Sequence, residues 1–91
     1  MKTDKTPAKL TTLDVREDLR EGRNVFGRIM DAVGRMTDGD ALRIIAPFEP
    51  HPLISVLRDR GFSAAVSELP EGGYEVLFTA PVSTEEDEAL L

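Results

Sequence analysis

The most informative part of this chain is residues 44–53, with the sequence IIAPFEPHPL. It begins as an apolar, strand-like run that stops at Pro47, and Pro52 then suits the first turn of a helix, where a missing N–H costs nothing. Between the two prolines lie Phe48, Glu49 and the single histidine, His51. Ligands of α/β proteins usually bind at the carboxyl ends of the strands. The segment therefore predicts where a site would lie, but not what it does.

Length and composition bound the architecture. With 91 residues the chain is expected to form one domain, and with four Phe, one Tyr and no Trp its core must be mainly aliphatic. The absence of cysteine excludes disulfides, thiolate metal sites and thiol nucleophiles. No apolar run suits a signal peptide or a membrane span, so we expect a cytoplasmic protein that does not bind membranes.

The charge is concentrated at the two ends of the chain. The net charge is −6, with about +2 in residues 1–9, −4 in residues 83–91 and −4 in between. We expect residues 1–9 and 83–91 to be flexible tails around one domain over residues 10–82. An acidic domain lacks the clustered cations that nucleic-acid binding requires, so we expect no nucleic-acid partner.

Hydrophobic periodicity predicts the element order β-α-β-α-β-β. The predicted strands cover residues 10–15, 41–46, 62–69 and 74–79, and helices start at Val25 and near Pro52. Residues 17–24 are charged and are expected to form a loop. Because the first two strands are joined through a helix they should be parallel, and the last two should form a hairpin. The expected fold is a two-layer sandwich of four mixed strands with two helices on one face.

Local signals refine the helix ends. Asn24 is a plausible N-cap for the first helix, since its side chain can accept a free backbone N–H. Phe26 is assigned to the apolar face of that helix. Gly27 and Gly34 would weaken the helix, and close approach to the sheet is one reason that either could be tolerated. Gly61 is expected to end the second helix in a left-handed conformation.

Four short motifs together resemble the bacterial domain-of-unknown-function 2249 family. They are Leu13-Asp14-Val15-Arg16, Gly39-Asp40-Ala41-Leu42, Ala46-Pro47-Phe48-Glu49-Pro50-His51-Pro52-Leu53 and Arg60-Gly61-Phe62. The resemblance covers about Leu10 to Pro81. It implies a relationship to the TusA-like (SirA-like) sulfur carriers and the same β-α-β-α-β-β sandwich.

The resemblance does not bring sulfur transfer with it. The TusA-like carriers hold a persulfide on a cysteine within a Cys-Pro-x-Pro motif at the start of the first helix. Here the corresponding residues 19–25 are LREGRNV, with neither the cysteine nor the prolines. Many family members have His-Asp-Pro-x-Pro-Leu where this chain has Phe48-Glu49-Pro50-His51-Pro52-Leu53. A role that depends on that first histidine is therefore not implied here.

The polar residues near the predicted strand ends allow two interpretations. Glu49 and His51 suggest an acid–base pair or two metal ligands. Alternatively, Glu49 is an acidic residue just before the second helix, where the helix dipole favours a negative charge, and His51 is an ordinary surface residue. Asp14 and Arg16 could orient a polar ligand, or form a structural ion pair with Arg43, Glu49 or the start of the first helix. We favour the structural interpretation in both cases, and we predict no catalytic residue, metal or cofactor.

The arginines near the first helix, Arg20, Arg23 and Arg28, alternate with Glu17, Asp18 and Glu21. A solvated mixed-charge segment is favoured there over a phosphate contact. The sequence thus predicts a non-catalytic module that binds a protein partner or a second copy, through the open sheet face or through Phe48 and Glu49. The alternative is a ligand-binding protein or enzyme that uses Asp14, Arg16, Glu49 and His51. RNA binding across the sheet is a weaker third possibility.

Overall fold

The computed structural model describes residues 9–82. The elements, in chain order, are β1 (Leu10–Asp14), α1 (Arg16–Arg20), α2 (Phe26–Gly34), β2 (Ala41–Ala46), α3 (His51–Asp59), β3 (Ser63–Glu68) and β4 (Tyr74–Thr79). The predicted tails lie outside the described residues, apart from Lys9. None of the helices in residues 9–82 is long and apolar enough to cross a membrane.

The four strands form one mixed sheet in the order β1-β2-β4-β3. β1 runs parallel to β2, with Leu13 opposite Ile44. β4 runs antiparallel to both of its neighbours, β2 and β3. The predicted topology is confirmed, and the predicted bounds of β2 and β4 match the structure at both ends.

The helices cover one face of the sheet and build the core against it. Strand alternation turns Leu42, Ile44 and Ala46 of β2 toward the helices, beside Val76 and Phe78 of β4. From the helices come Val25, Ile29, Val33, Leu53, Ile54 and Leu57. The predicted two-layer sandwich is therefore confirmed.

The other face of the sheet has no helix over it in the described chain. Arg43, Ile45, Glu75 and Leu77 occupy its centre and are half-buried. Arg43 Nε lies 3.5 Å from Glu75 Oε2, an ionic contact without hydrogen-bond geometry. Charged and apolar side chains thus alternate on this face, and no continuous apolar surface forms there.

The short helix α1 lies where a loop was predicted over residues 17–24. Glu17 and Asp18 lie in its first turn and Arg20 in its last, which suits the helix dipole. The backbone N–H of Leu19 donates to Val15 O at 3.0 Å, and the Leu19 side chain packs against the core. A single apolar residue among charges gives no periodicity, so the sequence could not reveal this turn.

Asn24 is not the N-cap that was predicted, because Val25 occupies the cap position and makes no side-chain capping hydrogen bond. Asn24 lies one residue before the cap, and its Oδ1 accepts the backbone N–H of Phe26 at 2.9 Å. Close packing against the sheet does not explain Gly27 or Gly34, because an added Cβ would meet nothing within 4 Å at either position. The prediction that close approach of this helix to the sheet accounts for one of these glycines was therefore wrong.

Two glycines adopt the backbone conformation that other residues rarely take. Gly61 has φ +93° and follows α3, as predicted for a left-handed helix end. Gly73 also has φ +93°, and a Cβ placed on it would lie 2.8 Å from the carbonyl oxygen of Ala46. The β3–β4 turn therefore contacts the point where β2 ends.

Candidate functional site

Two different surfaces meet at the carboxyl end of β1. The backbone N–H of Val15 donates to Ile45 O at 2.9 Å, so the parallel strands end side by side. Successive residues of a strand point to opposite faces. Val15 therefore turns toward the helices, where it is 1% exposed, while Asp14 turns to the other side and is exposed.

On the helix side is an apolar cleft of about 270 Å³. It lies where α1, α2 and α3 converge over the ends of β1 and β2. We call it the apolar cleft and define it by its lining residues, which are Val15, Leu19, Asn24, Val25, Phe26, Ile29, Ile44, Ala46, Phe48, Pro50, Pro52, Leu53 and Val56. None of these side chains is ionisable. The one polar side chain is Asn24, whose Oδ1 is already bonded to Phe26 N–H.

Two half-exposed phenylalanines line this cleft. Phe26 is 50% exposed and Phe48 is 54% exposed. Phe48 was predicted as a contact residue, and the structure places it here. Phe26 was assigned to the apolar face of its helix, but α2 begins at this residue, so its ring extends beyond the packed part of the helix. The signal that could have revealed Phe26 is positional, since α2 begins at the sheet edge where Phe48 lies.

On the opposite side of β1, Asp14, Arg16, Glu17 and Arg20 line a separate polar pocket. Arg16 donates from Nη2 to Asp14 Oδ2 at 2.7 Å and from Nε to Oδ1 at 3.0 Å. Its backbone N–H adds a third bond to Oδ1 at 3.1 Å. Arg16 Nη1 also lies 3.4 Å from Glu71 Oε2. The two predicted residues thus bond to each other.

These hydrogen bonds shift the pKa of both side chains. The side-chain hydrogen bond from Arg16, followed by its backbone N–H, lowers the pKa of Asp14 below the usual 3.8. The same side-chain bond raises the pKa of Arg16. Both groups are therefore held in their charged forms, which suits an ion pair and does not suit a general acid or base near neutral pH.

Glu49 and His51 lie together but apart from both pockets. Their closest side-chain atoms, Glu49 Oε2 and His51 Nδ1, are 3.8 Å apart, and the His51 side chain is 75% exposed. Neither residue lines the apolar cleft or the polar pocket. Within residues 9–82, no group of three or more His, Cys, Asp or Glu could hold a metal ion.

Four of the six charged residues that were predicted to offset one another around α1 form ion pairs. Asp18 accepts hydrogen bonds from Arg23 and Arg28, each at 2.7 Å, and Arg23 also bonds Glu21 at 2.7 Å. The bonds from Arg28 and then Arg23 lower the pKa of Asp18. This part of the surface is a network of ion pairs between α1 and the start of α2.

Comparison with known proteins gives one match. No curated protein and no solved structure matches the chain. The family described as "uncharacterized conserved protein (DUF2249)" matches residues 12–80, from within β1 to just beyond β4. That range includes every residue that lines the apolar cleft. The chain therefore belongs to the DUF2249 family.

Proposed function

We propose that this protein is a non-catalytic interaction module whose apolar cleft accepts an apolar side chain of a protein partner. One observation carries the proposal. The cleft combines thirteen lining residues, none of them ionisable, with two half-exposed phenylalanines. Concave surfaces lined mainly by apolar and aromatic side chains are typical of binding sites. The cleft offers no group that could transfer a proton or hold a charged intermediate.

The size of the cleft favours a side chain over a complete cofactor. Pockets for small molecules usually span about 300–1,000 Å³. At about 270 Å³ the apolar cleft lies just below that range. A Leu, Met or Phe side chain fits into such a space and can anchor an interface from its centre.

The backbone beside the cleft is conformationally restricted. Pro50 and Pro52 line the cleft themselves, and Pro47 directly precedes Phe48. Proline fixes φ near −65°, so this segment has few alternative conformations to lose. Binding at Phe48 therefore costs little ordering entropy, which favours a recognition role.

The open sheet face gives weaker support as the partner surface, because the Arg43–Glu75 pair interrupts its apolar residues. The alternative of a polar site is also weaker. Asp14 and Arg16 satisfy each other, while Glu49 and His51 line a different part of the surface. These four residues do not share either pocket. Ligand chemistry based on all four lacks a common cavity.

The proposal includes a fold relationship to the TusA-like sulfur carriers and a cytoplasmic setting. The observed order β-α-α-β-α-β-β, which is the expected β-α-β-α-β-β with the short α1 added, and the four motifs support the relationship, while the 91 residues contain no cysteine to carry sulfur. In this view the carrier scaffold is retained and the apolar cleft provides the contact surface in place of a thiol.

A peptide selection tests the proposed function. The protein is used as bait for a displayed library of random peptides, and we expect the selected peptides to share one Leu, Met or Phe anchor. Replacing that anchor or making Phe48→Ala should weaken binding by at least about tenfold, the loss typical of an interface hot spot.

Leu10→Ala is the matched control, because Leu10 is 46% exposed but lies at the other end of β1. It should leave binding unchanged. Selected peptides that share only charged residues, or that bind the Phe48→Ala variant equally well, would contradict the proposal.

A further inference from the structure

β3 is an edge strand that the described chain leaves uncovered. Its only neighbour in the sheet is β4. Five of its six residues are exposed, and only Ala64 is partly buried. The backbone groups on the outer side of such a strand have no partner within the sheet.

The hairpin identifies which backbone groups point outward. Leu69 N–H donates to Gly73 O at 2.9 Å, so the groups of Leu69 point toward β4. In an antiparallel pair this direction alternates along the strand. The groups of Ser63, Ala65 and Ser67 therefore bond β4. The outward N–H and C=O groups belong to Ala64, Val66 and Glu68.

Most of this edge lacks the usual protection against pairing, because the one charged residue of β3, Glu68, lies at its last position, next to the turn. Residues 63–67 are SAAVS, without a charge or a proline. Natural edge strands commonly carry one or both to prevent association. Arg58 of α3 does reach the edge, where its Nη2 lies 3.5 Å from Ala64 O. That distance is too long for a strong hydrogen bond, so a better donor would displace it.

We propose that a second copy of this chain pairs with β3 in antiparallel orientation, which joins the two sheets into one of eight strands. The sequence of the edge favours a second copy because it is self-complementary about Ala65. Ser63 then faces Ser67 of the second copy, and Ala64 faces Val66 of the second copy. No charge faces a like charge, and the outward groups of Ala64 and Val66 form four hydrogen bonds across the symmetry axis.

The association is weak and depends on concentration. One strand edge buries much less than the roughly 800 Å² per partner that a stable interface needs. The net charge of −6 also opposes the approach of two copies. Added salt screens this repulsion and strengthens the dimer.

Amide exchange gives the most direct test. The amides of Ala64 and Val66 should exchange at least about threefold more slowly at millimolar than at micromolar protein. The amides of Ala65 and Ser67 serve as internal controls, because they already bond β4 in the monomer. They should be protected equally at both concentrations. Exchange at Ala64 and Val66 that does not change with concentration would overturn the proposal.

A pair of double variants tests the register independently of folding. Ser63→Lys with Ser67→Lys places Lys against Lys twice, whereas Ser63→Glu with Ser67→Lys places Glu against Lys twice. Both residues are exposed on the open face, so each variant should fold. By sedimentation, the Glu/Lys variant should associate at least about tenfold more tightly than the Lys/Lys variant.

General charge repulsion predicts the opposite order, because the Lys/Lys variant is the less acidic chain. Equal association of the two variants, or tighter association of the Lys/Lys variant, would exclude this pairing. The amides of Ala64 and Val66 could also become protected only after an extended peptide is added. In that case β3 pairs with another protein and not with a second copy, and the proposal is overturned.

Discussion

The apolar cleft and the polar pocket lie on opposite sides of the same strand end, one residue apart in sequence. Val15 lines the first and Asp14 the second. The polar pocket is lined entirely by ionisable residues, among them the predicted site residues Asp14 and Arg16, yet these two form hydrogen bonds to each other. The apolar cleft contains no ionisable residue, yet it presents two exposed aromatic rings. This difference is the reason why we propose the apolar cleft, and not the polar pocket, as the functional surface.

Placing a charge at Val15, compared with removing the charge of Asp14, should give the largest effect on stability. Val15→Asp places a carboxylate where the side chain is 1% exposed, among apolar residues. We expect a loss of more than about 3 kcal/mol in the free energy of unfolding, a large fraction of the total stability of a small domain. Asp14→Val is the matched change and should cost no more than about 1 kcal/mol, because it removes an exposed ion pair.

Urea unfolding followed by far-UV circular dichroism measures both variants. Equal losses would mean that the two sides of β1 are not as different as the structure indicates.

The β3–β4 turn tests how rigidly the floor of the apolar cleft is held. Gly73→Ala forces a Cβ against Ala46 O, and Ala46 lines the cleft. We expect a loss of roughly 2 kcal/mol, from the positive φ and the backbone contact together. Gly72→Ala is the control, because Gly72 also has a positive φ but an added Cβ meets nothing within 4 Å. Its loss in thermal stability should be clearly smaller, and an equal loss would show that the contact with Ala46 does not matter.

The dependence of stability on acid pH tests the ion pair in the polar pocket. The pKa of Asp14 is lowered in the folded state, so its ion pair contributes stability that is complete above the unfolded value near 3.8 and is lost as pH falls through the folded pKa. Because the pair is exposed, the contribution should not exceed about 1 kcal/mol. Asp14→Asn should remove this part of the pH dependence below about pH 4 and leave stability near neutral pH slightly reduced.

Denaturant unfolding measured over a pH series compares Asp14→Asn with the original chain. An unchanged difference between them from neutral pH down through pH 3 would contradict an ionic role for Asp14.

Substitutions at Phe26 and Phe48, which form the exposed rim of the apolar cleft, should have the smallest effect on stability. Phe26 and Phe48 are half exposed, so Phe26→Ala or Phe48→Ala should cost less than about 1 kcal/mol of stability. Ile44→Ala at the floor is the contrast and should cost about 2–4 kcal/mol. Thermal melting measures all three. A large loss for either rim variant would mean that these rings stabilise the fold and are not available to a partner.

The fold could be predicted from local patterns, and the site only in part. β2 and β4 are apolar runs bounded by Gly, Asp and Pro, so their ends were visible in the sequence. The helix α1 was missed because its stability comes from Leu19 packing on the core, a tertiary contact without a sequence period. Phe48 could be selected from its position after a strand. The apolar cleft could not, because residues from 15 to 56 meet there only after folding.

The most direct test of the central claim is a methyl NMR titration with a selected peptide that carries one apolar anchor. We predict shifts of the Val15, Ile29 and Leu53 methyl groups, which line the apolar cleft, and no shifts of Leu77 on the opposite sheet face. The Phe48→Ala variant should show the same pattern with weaker saturation. Shifts at Leu77 with an unperturbed Val15, Ile29 and Leu53 would contradict the account and place the partner on the open sheet face.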